Sequence, residues 1–369
     1  EIYTLSLHDA LPISLEMKVI IGGAGITGLT LASYLQQNNT EFKIVEQSNT
    51  VLHNRSAIQI SSNCHFVFEE LGVLNAIKSK AIQEPILNVY SKDQLLNKLS
   101  VTNNKGEGTL FIRRSDLISI LMSELKEDNS IINQKIENVI EHEHEIEVIA
   151  NQGSFKCDLF IDCLGINSLD ESKIMHTKSI GVWGISNNTD ELYRKFNNFL
   201  LKDKHLVTYP LTKSQTAYTL ILNSQKIDIS EADLSAEIIK NIMPKKHHML
   251  IDETQDLVVK KIYESKRIEW GRGKVISIGD AAHPITPHLA QGAAQGAIDA
   301  SFLAKTMKED KELISTLKQR DPLLQKIKLE SHLNKRRFQM GYPLSLLRNL
   351  FLRLYKPKYN WLFNSKYES

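Results

Sequence analysis

Residues 19–32 read VIIGGAGITGLTLA and join an apolar run to a helix-like pattern through a glycine-rich turn. Gly23, Gly25 and Gly28 form a GxGxxG motif, which is typical of the first turn of a dinucleotide-binding βαβ unit. Gly23 would permit the tight turn, Gly25 would let the backbone approach a phosphate, and Gly28 would allow close strand–helix packing. Ala24 lies inside this turn, where free N–H groups at the helix start attract a pyrophosphate. The glycines alone leave NAD, NADP, FAD and S-adenosylmethionine open as ligands.

The segments on either side of the turn complete the unit. MKVII, beginning at Met17, predicts a buried strand, and apolar side chains recur with a helical period over residues 26–37. EFKIVEQ, residues 41–47, predicts a second strand that ends near Glu46. A carboxylate at that position accepts hydrogen bonds from a ribose diol and repels a 2′-phosphate, so Glu46 disfavours NADP as the ligand.

Bulk composition describes an ordinary globular enzyme. The chain has 369 residues, 42% of them hydrophobic and 24% charged, with a net charge of +2. This length favours about two domains, and the small net charge gives no reason to expect a nucleic-acid partner. No apolar run reaches the ~18 residues that a transmembrane helix needs.

The cysteines and histidines indicate neither disulfides nor metal. Cys64, Cys157 and Cys163 match no zinc or redox spacing, which predicts unpaired thiols in a reducing, cytoplasmic compartment. His142 and His144 in EHEHE lack an evident third ligand, so we expect no metal site there.

Residues 276–304, ISIGDAAHPITPHLAQGAAQGAIDASFLA, carry the second motif. A strand ends at Gly279, and Asp280 follows as a short acceptor for a ribityl or ribose hydroxyl. The run from Ala290 to Ala293 then opens a helix rich in small residues, which would let it approach something flat. The positive end of that helix would stabilise negative charge on a reduced isoalloxazine.

Residues 279–304 match the pattern GDAAHPxxPxxAQGxxxAxxDAxxLA at all but one position, and this pattern is similar to the FAD signature of class A flavoprotein monooxygenases, with Ile298 where the family usually has Glu. That family includes para-hydroxybenzoate hydroxylase, the ubiquinone-pathway hydroxylases and the tetracycline-inactivating monooxygenases. The resemblance covers residues 17–305. It implies FAD as cofactor, NAD(P)H as co-substrate, and insertion of one oxygen atom from O₂ into an aromatic or polycyclic small molecule through a flavin C4a-hydroperoxide.

The resemblance also implies which residues bind the cofactor. Arg55 in NRSAI would lie against the FAD diphosphate, and Arg114 in RRSDL, rather than Arg113, would lie near the cofactor. A surface ion pair is the alternative for either arginine. The remaining expected contacts are grouped by the part of FAD they would meet: Gly23, Ala24, Gly25, Gly28 and Glu46 for the ADP half, Asp280 for the ribityl–diphosphate region, and Pro287, Gly292 and Ala293 for the isoalloxazine.

One loop departs from the family pattern. In DCLGINS, residues 162–168, Leu164 stands where the family usually has Asp, and Asp170 and Glu171 follow instead of an Arg. Local acidity would repel the phosphates of a nicotinamide cofactor, which predicts weak NADPH use. Alternatively, Gly165 preserves the loop geometry and the missing Asp is dispensable.

We therefore expect an α/β fold in which a Rossmann-like FAD-binding domain is interleaved with a sheet-rich substrate domain and followed by a C-terminal helical segment. The expected boundaries are residues 17–82, 105–177 and 264–309 for the FAD-binding domain, 83–104 and 178–263 for the substrate domain, and 310–369 for the helices. Residues 1–16 lack signal-peptide features, and we interpret them as a non-native or disordered leader.

Three further questions stay open at this stage. The sequence assigns no catalytic acid or base and no substrate-binding residue. An FAD-dependent dehydrogenase or reductase without oxygen insertion, and a non-catalytic FAD-binding sensor, are the alternative functions. The basic, amphipathic segment YPLSLLRNLFLRLYKPKYNWLF near the C-terminus could contact a membrane surface, but we favour a helix packed across the two domains.

Overall fold

The computed structural model describes residues 17–48, 56–126, 131–168, 174–187, 190–228, 230–231 and 234–367. The expectations for residues 1–16, Arg55, Asp170 and Glu171 lie outside these described residues.

Nineteen strands are described. In chain order they are β1 (Val19–Gly22), β2 (Phe42–Glu46), β3 (Ala57–Ile60), β4 (Ile82–Glu84), β5 (Ile86–Ser91), β6 (Gln94–Ser100), β7 (Thr109–Arg113), β8 (Ile131–Asn133), β9 (Ile136–Glu141), β10 (Ile146–Ala150), β11 (Gly153–Cys157), β12 (Leu159–Asp162), β13 (Ile174–Ser186), β14 (Asn197–Leu201), β15 (Lys204–Pro210), β16 (Thr216–Asn223), β17 (Thr254–Ser265), β18 (Gly271–Arg272) and β19 (Val275–Ser277).

Twelve α-helices are described. They are α1 (Ile26–Gln37), α2 (His65–Glu70), α3 (Leu74–Lys80), α4 (Arg114–Ser123), α5 (Ser224–Ile227), α6 (Ala236–Ile242), α7 (His248–Asp252), α8 (Gly292–Lys308), α9 (Leu313–Leu317), α10 (Asp321–Phe338), α11 (Leu344–Leu354) and α12 (Asn360–Phe363). None of these helices is long and apolar enough to cross a membrane.

The predicted βαβ unit forms the centre of a six-stranded sheet in the order β18-β19-β12-β1-β2-β8. β1 pairs in parallel with β2 and β12, so that Val19 lies opposite Phe42 and Leu159. Side chains on one face of β1 join the core cluster that includes α1, and those on the other face pack with the small sheet of β9, β10 and β11. Coverage of both faces explains why the strand is apolar throughout.

The pattern of residues 136–165 predicts one small meander of strands, and this prediction is wrong for the last strand. β9, β10 and β11 are antiparallel neighbours, but β12 leaves them and inserts between β1 and β19 in the parallel sheet. The burial of all four β12 residues reflects this central position. A short apolar run has the same appearance in either sheet, so periodicity alone misplaced this strand.

A second large sheet has the order β17-β13-β16-β15-β14-β5-β6 and contains both β5–β6 and the strands between residues 174 and 265. Its strands are antiparallel neighbours except for the parallel pair β5 and β14. Alternate side chains in this sheet point to opposite faces. Phe199 and Leu206 pack with α6 and α7, whereas Phe196, Leu200 and Val207 line a cavity on the other side.

The small residues of α8 have a different role from the expected one. A Cβ atom added to Gly296 would lie 2.3 Å from Thr27 Oγ1 on α1, so this glycine permits close helix–helix packing. Ala297 and Ala300 are fully buried in the same core cluster. The run of small residues over 294–300 thus accommodates α1, and only the first turn of α8 is left for contact with a cofactor.

Candidate active site

The three motif glycines have three different surroundings. Gly23 has a φ of +101°, and a Cβ added there would lie 2.7 Å from the Cys163 carbonyl oxygen. A Cβ at Gly28 would lie 2.0 Å from the Gly23 carbonyl oxygen. A Cβ added at Gly25 would have, among the described residues, a single neighbouring atom within 4 Å, which is Arg114 Nη2 at 4.0 Å. Gly23 and Gly28 are therefore required by the protein itself, while Gly25 faces open space at the start of α1.

Glu46 lies beside this turn. Its Oε2 accepts a hydrogen bond from the Ala24 N–H at 2.8 Å, and its Oε1 accepts one from the Ser48 N–H at 2.9 Å. The carboxylate is half-buried and fixed at the end of β2, next to the opening of the glycine loop. Its remaining acceptor capacity suits a hydroxyl donor such as a ribose diol.

Arg114, Asp280 and Gly292 lie close to the open side of the turn. Arg114 begins α4 and Gly292 begins α8, and a Cβ at Gly292 would lie 3.5 Å from Asp280 Oδ1. Burial lowers the pKa of Arg114, and the neighbouring Asp280 partly offsets this effect. Desolvation by the surrounding protein raises the pKa of Asp280. His283 and Arg114 oppose this rise. Arg113 instead donates a hydrogen bond to Gln215.

These residues fit FAD. The Arg114 guanidinium lies beside the start of α1 at Gly25, and Asp280 lies beside the start of α8 at Gly292. Helix starts and a guanidinium are groups that bind a diphosphate. Gly25 leaves room for a phosphate to approach the backbone, and Asp280 supplies an acceptor for a hydroxyl. Pro287, Gly292 and Ala293 are half-buried at the same end of α8, where they could contact the isoalloxazine.

The departing loop keeps a defined shape. Asp162 is buried, and it accepts hydrogen bonds from the Leu164 N–H at 2.9 Å and the Ser168 hydroxyl at 2.6 Å. Gly165 has a φ of +70°, which favours glycine. The Leu164 side chain packs on the apolar cluster beneath β1 and β12. The expected preservation of loop geometry through Gly165 is consistent with this arrangement.

A buried polar network supports the Asp280 loop, and sequence reasoning missed most of it. Asp299 is fully buried and accepts hydrogen bonds from the Gly279 N–H at 2.9 Å and from Arg320 Nε at 2.7 Å. His283 Nε2 lies 2.6 Å from Asp299 Oδ2, the oxygen that accepts from Gly279, whereas Arg320 bonds Oδ1. Burial alone would raise the pKa of Asp299, but His283 and Arg320 hold it below the usual range. Arg320 also donates to Gln295 at 2.7 Å.

A cavity of about 540 Å³ extends from this region between the large sheet and the C-terminal helices. Loop residues 287–290 form one end of it, and strands β5, β6, β14 and β15 form a wall. The opposite wall comes from residues 334–363. Most of the lining is apolar, and it includes Leu87, Val89, Leu99, Val101, Phe196, Leu200, Val207, Phe338, Leu352, Leu362 and Phe363.

Three buried polar side chains line this cavity without a hydrogen-bond partner for part of their polar surface. They are His205 at Nδ1, His288 at both ring nitrogens and Asn198 at Oδ1, judged against the described residues. The two imidazole rings lie 5.1 Å apart. Burial lowers the pKa of His205 to about 3 and that of His288 well below its ordinary value, so both rings are neutral. Sequence reasoning named none of these residues, although His288 stands inside the second motif.

All three cysteines are buried and unpaired, as expected. The described part of the chain contains no group of three His, Cys, Asp or Glu side chains that could hold a metal ion.

Comparison with known proteins agrees with the geometry. A family model described as FAD binding domain matches residues 16–312. Aurachin C monooxygenase/isomerase of Stigmatella aurantiaca is 25% identical over 325 residues, which are 82% of this chain and 83% of that protein. 2-Heptyl-3-hydroxy-4(1H)-quinolone synthase of Pseudomonas aeruginosa is 24% identical over 375 residues, 92% of this chain and 94% of that protein.

Solved structures share the fold. HpxO of Klebsiella pneumoniae complexed with FAD and uric acid superposes with a TM-score of 0.80 at 18% identity, covering 92% of this chain and 93% of that one. A salicylate hydroxylase substrate complex gives 0.78 at 19% identity and covers 95% of both chains. Since the family model spans both motifs and most of the chain, this protein belongs to the FAD binding domain family and is an FAD-dependent monooxygenase.

Proposed function

We propose that this monooxygenase hydroxylates a neutral aromatic compound that carries an apolar tail. The observation behind the proposal is the mostly apolar cavity that loop 287–290 helps to line and that contains, among the described residues, the buried unpaired polar groups of His205, His288 and Asn198. Buried polar atoms without partners are rare in folded proteins and call for an explanation such as a ligand. An aromatic ring with one N–H and one carbonyl would satisfy His205, His288 and Asn198.

The charges around the cavity favour a neutral substrate. Arg348 and Arg337 line the cavity, but protein acceptors already engage both guanidinium groups. Arg348 donates to the carbonyl oxygen of Arg337 at 3.0 Å, and Arg337 itself donates to Asn334 and Glu330. With neutral imidazoles and occupied arginines, the cavity offers little compensation for desolvating a carboxylate.

The names of the relatives support the same class. One of them makes a quinolone with a heptyl chain, which combines a bicyclic ring having N–H and carbonyl groups with an apolar tail. The cavity of about 540 Å³ falls within the range of small-molecule sites, roughly 300–1,000 Å³.

Bound FAD supplies the oxygen-activating chemistry, with NAD(P)H as electron source and O₂ as oxygen donor. The chain's own residues have three tasks. Arg114, Asp280 and Glu46 bind the cofactor's polar groups, and the apolar walls exclude water from the reacting centre. His205 and His288 orient the substrate ring by hydrogen bonds at the end of the cavity beside loop 287–290.

The test measures substrate-stimulated NAD(P)H oxidation by the FAD-loaded enzyme. The panel contains 2-heptyl-4(1H)-quinolone, its unalkylated parent, salicylate and uric acid. We expect the alkylated quinolone to stimulate oxidation with the lowest KM, because its chain fills the apolar walls. Salicylate or uric acid as the preferred substrate would overturn the proposal.

A second measurement follows the oxygen atom. Reaction under ¹⁸O₂ should place one labelled atom in the product. Unlabelled product would instead indicate the alternative in which the enzyme moves electrons without inserting oxygen.

A further inference from the structure

Helix α11 carries an unusual concentration of exposed apolar side chains. The described residues include fifteen exposed large hydrophobic side chains, and eight of them lie within residues 342–355. Leu346, Leu350 and Leu354 occupy successive turns of the helix and are 57%, 55% and 79% exposed. A contiguous exposed apolar surface on a globular protein marks an interaction site.

The opposite side of α11 is firmly held, so the exposure does not come from a detached helix. Arg348 is buried and donates to the carbonyl oxygens of Arg337, Phe338 and Met340 at 3.0–3.4 Å. Asn349 donates to the Ser91 hydroxyl at 3.1 Å. These contacts account for the inner side of α11 and leave the exposed leucine row unexplained.

The chain segment that carries the exposed row is basic. Residues 331–367 contain eight Lys or Arg and no Asp or Glu. Lys356 and Lys358 follow α11 directly, and both are exposed. Apolar side chains flanked by basic residues fit the boundary between anionic headgroups and acyl chains.

The same helix borders the cavity. Leu347 and Phe351, on the adjoining row, line the cavity and are 67% and 54% exposed. Apolar surface thus continues from the outer row of α11 to the cavity opening.

We propose that α11 docks on an anionic lipid surface through Leu346, Leu350 and Leu354, with Lys356 and Lys358 contacting the headgroups. A lipophilic substrate could then pass from the lipid to the cavity without entering bulk water; this delivery step rests on the proposed function, whereas the docking does not. A second copy of the chain fits the same row poorly, because a symmetric contact would bring two sets of basic residues together.

The test is flotation of the FAD-loaded enzyme with vesicles of equal parts phosphatidylcholine and phosphatidylglycerol. We expect the wild-type protein to float with these vesicles. The variant Leu346→Gln/Leu350→Gln/Leu354→Gln should bind about 100-fold more weakly. Each change removes roughly half of the free energy that burying a leucine side chain in the lipid contributes. Lys356→Gln/Lys358→Gln should bind about 30-fold more weakly to these vesicles and unchanged to pure phosphatidylcholine.

Leu329 on α10 provides the matched control, because it is 59% exposed and far from this row in sequence. Leu329→Gln should float like wild type, and the triple-leucine variant should keep its FAD content and its basal NAD(P)H oxidation. Wild-type protein that stays unbound, or equal loss in Leu329→Gln, would overturn the proposal. So would a lipid-free dimer that the triple variant abolishes. Because flotation needs no turnover, its outcome is independent of the substrate assignment.

Discussion

Replacing Arg320 by Met should destabilise the protein strongly, although Arg320 lies outside the two sequence motifs. The guanidinium is fully buried and pairs with the fully buried carboxylate of Asp299 at 2.7 Å. Asp299 in turn accepts the Gly279 N–H, which orients the loop that carries Asp280. The variant would leave a buried carboxylate without its arginine partner.

Breaking a buried ion pair from one side costs about 3–5 kcal/mol, because the remaining charge is desolvated and uncompensated. We expect a loss near the lower value, about 3 kcal/mol, since His283 Nε2, 2.6 Å from Asp299, still contacts the carboxylate in the variant. A loss of this size is a large fraction of the free energy of unfolding of a typical protein, which is about 5–15 kcal/mol.

The loss should also depend on pH. In the wild type the pKa of Asp299 is below its usual range, so its contribution to stability is present above the unfolded pKa of about 3.9 and is lost as pH falls further. Without Arg320, burial should raise that pKa above the unfolded value, and stability then decreases as pH rises through it. The gap in stability between wild type and variant should therefore be largest at neutral pH and narrow toward about pH 4.

Urea denaturation of the wild type and of Arg320→Met, at about pH 7 and at about pH 4, measures this difference in the free energy of unfolding. The double variant Asp299→Asn/Arg320→Met is the control, and it should be more stable than Arg320→Met alone because no buried charge remains. A loss of under about 1 kcal/mol, or one that is equal at both pH values, would refute the reasoning.

Four other substitutions separate cofactor binding from folding and substrate binding. Gly28→Ala should lower both stability and FAD content, because the new Cβ would lie 2.0 Å from the Gly23 carbonyl oxygen. Gly25→Ala should fold normally and lose FAD. Thermal melts measure the stability of the two variants, and flavin absorbance measures their FAD content. Glu46→Ala should weaken FAD binding about tenfold or more in a fluorescence titration, through loss of charged hydrogen bonds. His205→Leu should raise KM with unchanged flavin content. Since the pKa of His205 is about 3, this residue should add no pH dependence to KM near neutrality.

The cofactor half of the site could be read from the sequence because its requirements are local. A backbone that must approach a phosphate needs glycines at fixed spacing, and the strand and helix around them follow from hydrophobic periodicity. Residues 26–37 were predicted as a helix, and α1 has those bounds. The helix of the second motif was predicted to begin within residues 290–293, and α8 begins at Gly292.

The substrate half could not be read in this way because distant segments build it. His205 lies on β15 and His288 lies in the loop before α8, yet their rings are 5.1 Å apart. The wall formed by residues 334–363 belongs to a tail where the sequence carried no motif. Arg320 and Asp299 likewise meet only because the turn just before α10 lies against α8, and neither residue type by itself indicates a buried pair.

The DCLG loop, residues 162–165, keeps a defined backbone shape although it lacks the family's usual Asp at position 164. Asp162, Gly165 and Ser168 fix the backbone of the loop, and the Cys163 carbonyl oxygen lies against Gly23 of the glycine turn. Leu164, where the family usually has Asp, turns into an apolar cluster and contributes no hydrogen bond through its side chain. The substitution therefore removes a carboxylate from the loop and leaves its fold intact. By this argument the FAD cradle is insensitive to Leu164, and any effect of this departure falls on the nicotinamide step.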